Sequence, residues 1–536
     1  MSTDSLSRLN IRIAAFGSEE LGWVDGKGMF ATECSEANRK ARAVLGAWME
    51  EEGMQVAVDK VGNVIGILIP PGCDPKTPPV IVGSHIDTVP GGGRYDGRYG
   101  VLAGLEMVNK LSTEGAALNR PLVVGAWTAE ESAYFQPSMP GSHATTHPDD
   151  TERCLDNCKS IEPGRGDDWT LRKALKEIGA NGEAQPGFFL ENLDLAKAAY
   201  IELHIEQGKI LEKEGRSIAV VSDIYGCSQS KLIIKAGDAS AANVPRAVAE
   251  LTQFVSKRIE KDELERGTVG SIENIQSRTI QQPAFAVTFW GEGDHAGGRP
   301  MIGRHDAAYA AASLVELMGE TAAIQSLSIP GGVINRVPGE ARLIITPTEK
   351  LTELEHWKAA LENKAKNLAY ERGVTFTIRS VETYESATEA TMTTDKRDIR
   401  LDHIRESERA LHACIKELAE KYGVIIDLQQ GTHVSPVHFD ESLVALIKQT
   451  AEENPGIQQQ GSGEQKGKVR ILRSGPFHDA MKFGEIMPAA MIFVPSVQGI
   501  SHDKAEFTHP RDLDIGVDVL TAVVRKLACE QTAKHH

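Results

Sequence analysis

Five short segments carry most of the residues able to do chemistry. Gly83-Ser84-His85-Ile86-Asp87 directly follows the apolar run PVIV. A histidine at a strand end is well placed as a metal ligand, and an aspartate two residues on could accept its other ring N–H and fix the tautomer. Alone, an HxD pair is more often structural than functional. Gly91-Gly92-Gly93-Arg94-Tyr95-Asp96-Gly97 surrounds one carboxylate with glycines, as a backbone bent to present that oxygen pair would. A flexible turn with a solvated Asp96 is the plain alternative, and the GK[ST] of a phosphate loop is missing. Trp127-Thr128-Ala129-Glu130-Glu131 follows LVVGA. Adjacent carboxylates repel unless a cation or proton intervenes, so one could bind metal while its neighbour works as a general base. Two solvated acids in a turn would look the same. His204-Ile205-Glu206-Gln207 follows AAYIEL, and Ser501-His502-Asp503, with Glu506, follows MIFVPSV. Together His85, Asp96, Glu131, His204 and His502 supply the mixed imidazole and carboxylate ligands that suit Zn²⁺ or similar divalent ions. One carboxylate shared by two ions would make a paired-metal site.

The elements that must position these residues are legible as texture. Residues 37–52 carry apolar positions at helical spacing, and strand-like runs VGNVIGILI, PVIVGSH and PLVVGAWTA follow, with a buried helix from Gly100 to Leu111 between the last two. That order predicts an α/β layer with a largely parallel sheet. Residues 139–170 read as loop from their Gly, Pro, Asp and Ser content. After about Gly226 the pattern changes to β-α-β units. An outer copy (228–280 plus 395–430) encloses an inner one (283–385), with two unrelated insertions as the alternative. From His438 the first texture returns, with a helix at 440–453, a polar loop at 454–468, strand MIFVPS and a closing helix at 515–528. The expected fold is therefore α/β. A catalytic domain is built from 1–225 and 431–536, and an α+β lid domain, read as duplicated, is inserted at 226–430.

Composition excludes several classes. The 536 residues are 41% apolar and 25% charged, ordinary for a globular chain. With 58 basic and 75 acidic side chains the net charge is −17, which argues against nucleic-acid and anionic-membrane partners. No apolar stretch approaches a membrane span, and the N-terminus lacks a charged-then-apolar signal pattern. The seven cysteines are scattered, with Cys154 and Cys158 spaced CxxxC, and read as reduced thiols. A cytoplasmic enzyme is expected.

The segments GSHIDTVPGGGRYDGRYG, WTAEES, IELHIEQG, HAGGRPMIGRHDA, GPFHDA and MIFVPSVQGISHDKAE resemble the metal-dependent hydantoinase/carbamoylase amidohydrolases. That family includes N-carbamoyl-L-amino acid hydrolases, β-ureidopropionases and allantoate amidohydrolases, and it lies within the wider aminoacylase and dinuclear-zinc carboxypeptidase group. The resemblance implies two divalent ions per subunit, with Zn²⁺, Mn²⁺, Co²⁺ and Ni²⁺ all compatible. His85, Asp96 and His204 would hold one; Asp96, Glu131 and His502 would hold the other. Glu130 would be the general base and Asp87 would orient His85. His295, in HAGG, would stabilise the oxyanion, Gln207 and Asn335 would contact substrate, and His478 would stand in the active-site wall. The implied reaction cleaves the C–N bond of an N-carbamoyl amino acid or related ureido acid, releasing ammonia and carbon dioxide. A dipeptidase or acylase, or a hydrolase of a neutral amide or urea, is the alternative.

Three departures from the family pattern stand out. Ser132 replaces the usual glycine after the paired glutamates, and HAGGRP replaces HAGTTP. Thr348 sits where the family has a carboxylate-gripping arginine; Arg400, in Asp398-Ile399-Arg400, is the expected substitute anchor. A doubled lid also leaves two assemblies open: a homodimer through the lid, or a monomer whose second lid unit imitates the partner.

Overall fold

The computed structural model of the chain describes residues 7–529 except 132, 163, 167, 238–242, 261–265, 293, 296–303, 331–335, 349–353 and 461–465. It divides into two compact units, Met1–Ile224 with Val437–His536, and Tyr225–Pro436.

The first unit is organised by a nine-stranded sheet. Its centre is parallel: Val80–His85 lies between Leu122–Trp127 and Ala199–Ile205, and the latter pairs with Ala489–Val494. Every residue of these four strands is buried. Both faces are covered, so continuous apolar runs rather than alternation mark them in sequence. Antiparallel strands Val64–Leu68 and Gln55–Val58 finish one edge. Near the other edge, Ala219–Ile224 pairs with Ala489–Val494, Arg470–Ser474 and Val437–His438. Helix Arg98–Thr113 is buried over most of its length, and packs with Pro510–Cys529. Its Tyr99 hydroxyl donates to the Leu513 carbonyl at 2.8 Å. Helix Glu36–Glu51 begins at Ser35, whose hydroxyl accepts from the Asn38 N–H.

One expectation fails here. The stretch 139–170 is not all loop: it contains helices Pro140–Thr146 and Thr151–Asn157. Pro140 starts the first of these, where a missing N–H costs nothing. Leu155 and Cys158 then bury into a small cluster with Leu171 and Leu175.

The second unit holds a six-stranded antiparallel sheet. The order is Ala322–Ser328, Glu340–Pro347, Arg266–Trp290, Thr375–Asp398, Gly226–Ala236 and Val424–Val434. Helices Asn243–Glu260, Ala307–Met318, Leu354–Arg372 and Leu401–Tyr422 supply its core with Val248, Leu314, Leu361 and Leu411, against Leu232, Val287 and Leu343 of the sheet. The two long strands pair with each other from Arg266↔Arg397 to Trp290↔Thr375. Hydrophobic pattern alone predicts shorter strands here, because the middles of both are polar. A long ribbon closes its hydrogen bonds between its own two strands and needs no apolar pattern there.

Among the described residues, no helix is long and apolar enough to cross a membrane. All seven cysteines are free thiols.

Candidate metal centre

Three neighbouring parallel strands end together in the first unit. His85 is the last residue of Val80–His85, Glu130 and Glu131 follow Leu122–Trp127, and His204 closes Ala199–Ile205 but for one residue. The carboxyl ends of parallel strands are where open α/β sheets place their chemistry. Asp96 arrives from the turn before helix Arg98–Thr113. Its neighbour Gly97 has φ +64, and a Cβ there would lie 2.3 Å from His85 Nε2, so only glycine lets this turn approach the ring. His502 lies beyond Ala489–Val494, with φ +57.

These side chains converge on Asp96. Its Oδ1 is 3.5 Å from His85 Nε2 and 3.1 Å from His204 Nε2. Its Oδ2 is 3.3 Å from His502 Nε2, which is also 3.2 Å from Glu131 Oε2. Donor atoms of His85, Asp96 and His204 all lie within 4.8 Å of one another, and so do those of Asp96, Glu131 and His502. The tautomers follow from the opposite ring atoms. His85 Nδ1 faces the Asp87 carbonyl oxygen at 3.0 Å, and His204 Nδ1 faces that of Ile205 at 2.9 Å. A backbone carbonyl can only accept, so each Nδ1 carries a proton and donates it. In the neutral ring each Nε2 then turns a lone pair toward a carboxylate oxygen, and the Gly97 N–H donates to His204 Nε2 at 3.2 Å. Facing acceptors at this range repel unless a cation or a proton sits among them, and a metal ion takes the place of the Nε2 protons that bridge the rings to Asp96 in the metal-free chain. The donor set therefore fits two divalent ions that share Asp96.

The electrostatics carry the same deficit of positive charge. Burial opposes a charge on His85, yet Glu130, Asp96 and Asp87 around it raise its pKa well above the ordinary value. Burial likewise opposes a charge on Asp96, and hydrogen bonding from His204, His502 and His85 overcomes it, holding this carboxyl well below the usual range. Glu130 Oε2 stands 3.7 Å from His85 Nε2, and burial pushes its carboxyl well above the usual range. That is the direction a general base needs.

Other sequence candidates have distinct placements. Asp87 meets His85 through its backbone; its carboxylate Oδ1 is 4.0 Å from Nδ1 and forms no hydrogen bond, while Oδ2 accepts the Glu131 N–H at 3.2 Å. Gln207 has φ +54, and its amide donates to Asp96 Oδ2 at 2.7 Å and to Ser501 Oγ at 3.0 Å. His478 sits edge-on to His204 with ring centres 4.5 Å apart, its Nε2 3.0 Å from Ser474 Oγ. In the second unit, Arg400 forms a bidentate pair with buried Asp398, both contacts at 2.8 Å. The His295 backbone pairs with Arg336. Asn335 lies outside the described residues.

Two buried acids behind the site escaped the sequence reading. Glu202 accepts from the Ser84 hydroxyl at 2.7 Å and the Ala480 N–H at 2.8 Å. Asp479 accepts from the Ser142 hydroxyl at 2.6 Å. A charged residue inside the otherwise apolar run AAYIEL was the available signal for Glu202. Asn63 was also missed: its Oδ1 accepts the Thr128 N–H at 2.9 Å and so steadies the turn that presents Glu130.

Residues 81–526 match peptidase family M20/M25/M40. The chain belongs to that family. The M20 family is typically dependent on two metal ions, which the paired donor groups around Asp96 accommodate. The N-carbamoyl-L-amino-acid amidohydrolase of Rhizobium meliloti is 28% identical over 495 residues, covering 92% of this chain and 90% of its own. The allantoate amidohydrolase of Escherichia coli (strain K12) is 25% identical over 528 residues, covering 97% and 96%. Among solved structures, a hydantoinase/carbamoylase family amidase from Burkholderia ambifaria aligns with TM-score 0.59 and 25% identity, over 98% of each chain. One from Burkholderia multivorans aligns with TM-score 0.61 and 24% identity, over 98% of this chain and 99% of that one, a likeness of fold.

Proposed function

We propose that this M20 protein hydrolyses the C–N bond of an N-carbamoyl amino acid or related ureido acid, giving ammonia, carbon dioxide and the amine. The observation that carries the reading is the pair of donor groups sharing Asp96, with a buried glutamate beside them. The near full-length likeness to amidohydrolases named for carbamoyl and allantoate substrates supports the same class. Divalent ions at such a site supply a Lewis acid for the carbonyl and lower the pKa of the attacking water. His85, Asp96 and His204 would hold one ion; Asp96, Glu131 and His502 would hold the other. The protein does the rest with its own groups. Glu130, poised as a base by burial, takes the proton of the attacking water and returns it to the departing nitrogen. Asp87 fixes the tautomer of His85 through its main-chain carbonyl. His295 is proposed to donate to the oxyanion, Gln207 and Asn335 to contact substrate, and His478 to wall the site. Arg400, its guanidinium plane fixed by Asp398, is the proposed grip on the substrate carboxylate.

The second unit is proposed as a duplicated lid. Its support is the repetition of a helix pair at each end of the sheet: Asn243–Glu260 and Leu401–Tyr422 connect strands of one half, Ala307–Met318 and Leu354–Arg372 those of the other. Sedimentation at micromolar concentration separates a homodimer from a self-sufficient monomer. For the reaction, ammonia release from N-carbamoyl-L-amino acids, N-carbamoyl-β-alanine, allantoate and dipeptides is the test, with stripped and re-metallated protein. Turnover of a ureido acid that depends on metal and on Glu130 supports the reading; turnover of dipeptides alone overturns it.

A further inference from the structure

The mechanism leaves Glu506 of the SHDKAE segment unused, and unlike Asp503 and Lys504 in the same segment it is buried. Its contacts are specific. Oε1 accepts the N–H of Tyr95 at 2.9 Å and of Asp96 at 3.1 Å, across 411 and 410 residues of sequence. The Ser501 hydroxyl lies 3.4 Å from Oε2 and donates to Asp96 Oδ2 at 2.8 Å. Gly93 closes the fit from the other side: a Cβ there would come within 2.1 Å of Oε1. The ring of Phe507, next in sequence, stands edge-on to Tyr95 at 6.0 Å. Glu506 therefore seats the turn 93–96 from a loop whose other end carries His502. That loop is itself held in shape, since the Asp503 carbonyl accepts the Glu506 N–H at 2.9 Å and its carboxylate accepts the Ala505 N–H at 2.8 Å.

We infer that Glu506 is a positioning residue: by fixing the backbone of Asp96 from the loop that bears His502, it sets the distance between the two groups that would share the second ion. Two accepted main-chain N–H groups determine where Asp96 begins, and Ser501 together with Gln207 determines where its Oδ2 ends. Without the clamp the turn is free to swing on Gly93 and Gly97, and Asp96 loses its register with both imidazole sets. Outer partners of this kind contribute about 10–100-fold in metal affinity. The inference rests on the two-metal reading of the site.

The test is a chelator-competition titration with Zn²⁺ and with Mn²⁺ on the full chain, giving two binding constants, beside the thermal midpoint of the stripped protein. Glu506→Gln keeps an oxygen for the two N–H groups and is expected to hold both constants within about threefold. Glu506→Ala is expected to weaken both constants about 10–100-fold, because both ions would share Asp96. Glu506→Asp, which withdraws the oxygens by one methylene, should fall between them, and it replaces the alanine variant if that does not fold. Unchanged constants in Glu506→Asp or Glu506→Ala, with only the stripped protein's midpoint lowered, would make Glu506 structural and overturn the inference. Equal losses in Glu506→Gln and Glu506→Ala would also overturn it, because charge rather than placement would then matter. A wild-type chain that binds no ion tightly would instead sink the two-metal reading itself.

Discussion

Replacing Gly97 with alanine tests the centre at its tightest point. The new Cβ would lie 2.3, 2.4 and 2.5 Å from Nε2, Cε1 and Cδ2 of His85. Ordinary contact is ~3.5 Å, so the ring must retreat by about 1 Å or the turn must open by as much. The ring has little freedom to yield, because Nδ1 is tied to the Asp87 carbonyl. Residue 97 also keeps φ +64 and ψ −51, where a side chain costs about 1–3 kcal/mol. A misplacement of ~1 Å in a catalytic group costs on the order of 10²-fold in rate, or about 2.7 kcal/mol of transition-state stabilisation. Gly115→Ala separates the two effects. Gly115 has φ +62 with nothing within 4 Å of its would-be Cβ, so it carries the backbone cost alone. Urea unfolding of the metal-free proteins should show both variants destabilised, Gly115→Ala by about 1 kcal/mol. Only Gly97→Ala should lose ~10²-fold in kcat/KM for the best ureido substrate and bind its ions more weakly. If Gly97→Ala keeps wild-type affinity for two ions and turns over within about threefold of wild type, His85 is not held against this turn as a ligand, and the site as described is wrong.

Glu130→Gln should lower kcat by about 10²–10⁴-fold while both ions remain bound, read by ammonia release and by metal analysis of the same sample; retained turnover would remove Glu130 as the base. Arg400→Met should raise KM for a carbamoyl amino acid about 10–100-fold with kcat little changed, the loss of one charge-assisted contact; an unmoved KM would place the carboxylate elsewhere. Asn63→Ala strands the Thr128 N–H and one Asp59 oxygen in a buried setting, so urea unfolding should show a loss of about 1–3 kcal/mol. Burial pushes the thiols of Cys34 to about 12 and of Cys154 and Cys414 to about 11. At pH 8 roughly one in a thousand or fewer of these would be thiolate, and mass mapping after brief alkylation should find them modified far more slowly than in urea-unfolded protein.

The strand ends were legible because buried parallel strands read as unbroken apolar runs, and polar residues just past such runs have few other reasons to be there. That is how His85, Glu131 and His204 could be named together, and Asp96 and His502 added from glycine-rich and serine-histidine turns. Residue type and order did not reveal which oxygen faces which ring. Asp87 shows the limit: sequence spacing pointed to its side chain, whereas its main-chain carbonyl meets His85 and its carboxylate turns to the Glu131 N–H. Asn63 and Asp479 were missed for a related reason. Their partners are a main-chain N–H and a hydroxyl, 65 and 337 residues away, and such groups leave no mark on composition. The second unit was legible as alternating strands and helices. The joining of its strands into Arg266–Trp290 and Thr375–Asp398 was not, because a ribbon satisfied by its own ladder carries no hydrophobic period.

The same geometry bears on how two adjacent glutamates could hold the different roles proposed for them. Ala129 stands in the left-handed region at φ +58, a conformation a non-glycine residue adopts only when its surroundings impose it. The imposing groups are on hand: Asn63 accepts the Thr128 N–H, while the Thr128 and Ala129 carbonyls accept the N–H groups of Gly141 and Met139, both at 3.1 Å. With the chain turned there, Glu131 reaches His502, and Glu130 reaches the His85 side, where burial raises the pKa of its carboxyl. Straightened, the run would send the two side chains to opposite faces, as in any strand, and only one of them could serve the centre. The strained turn would thus let one carboxylate bind and its neighbour act as base, in the roles proposed for Glu131 and Glu130.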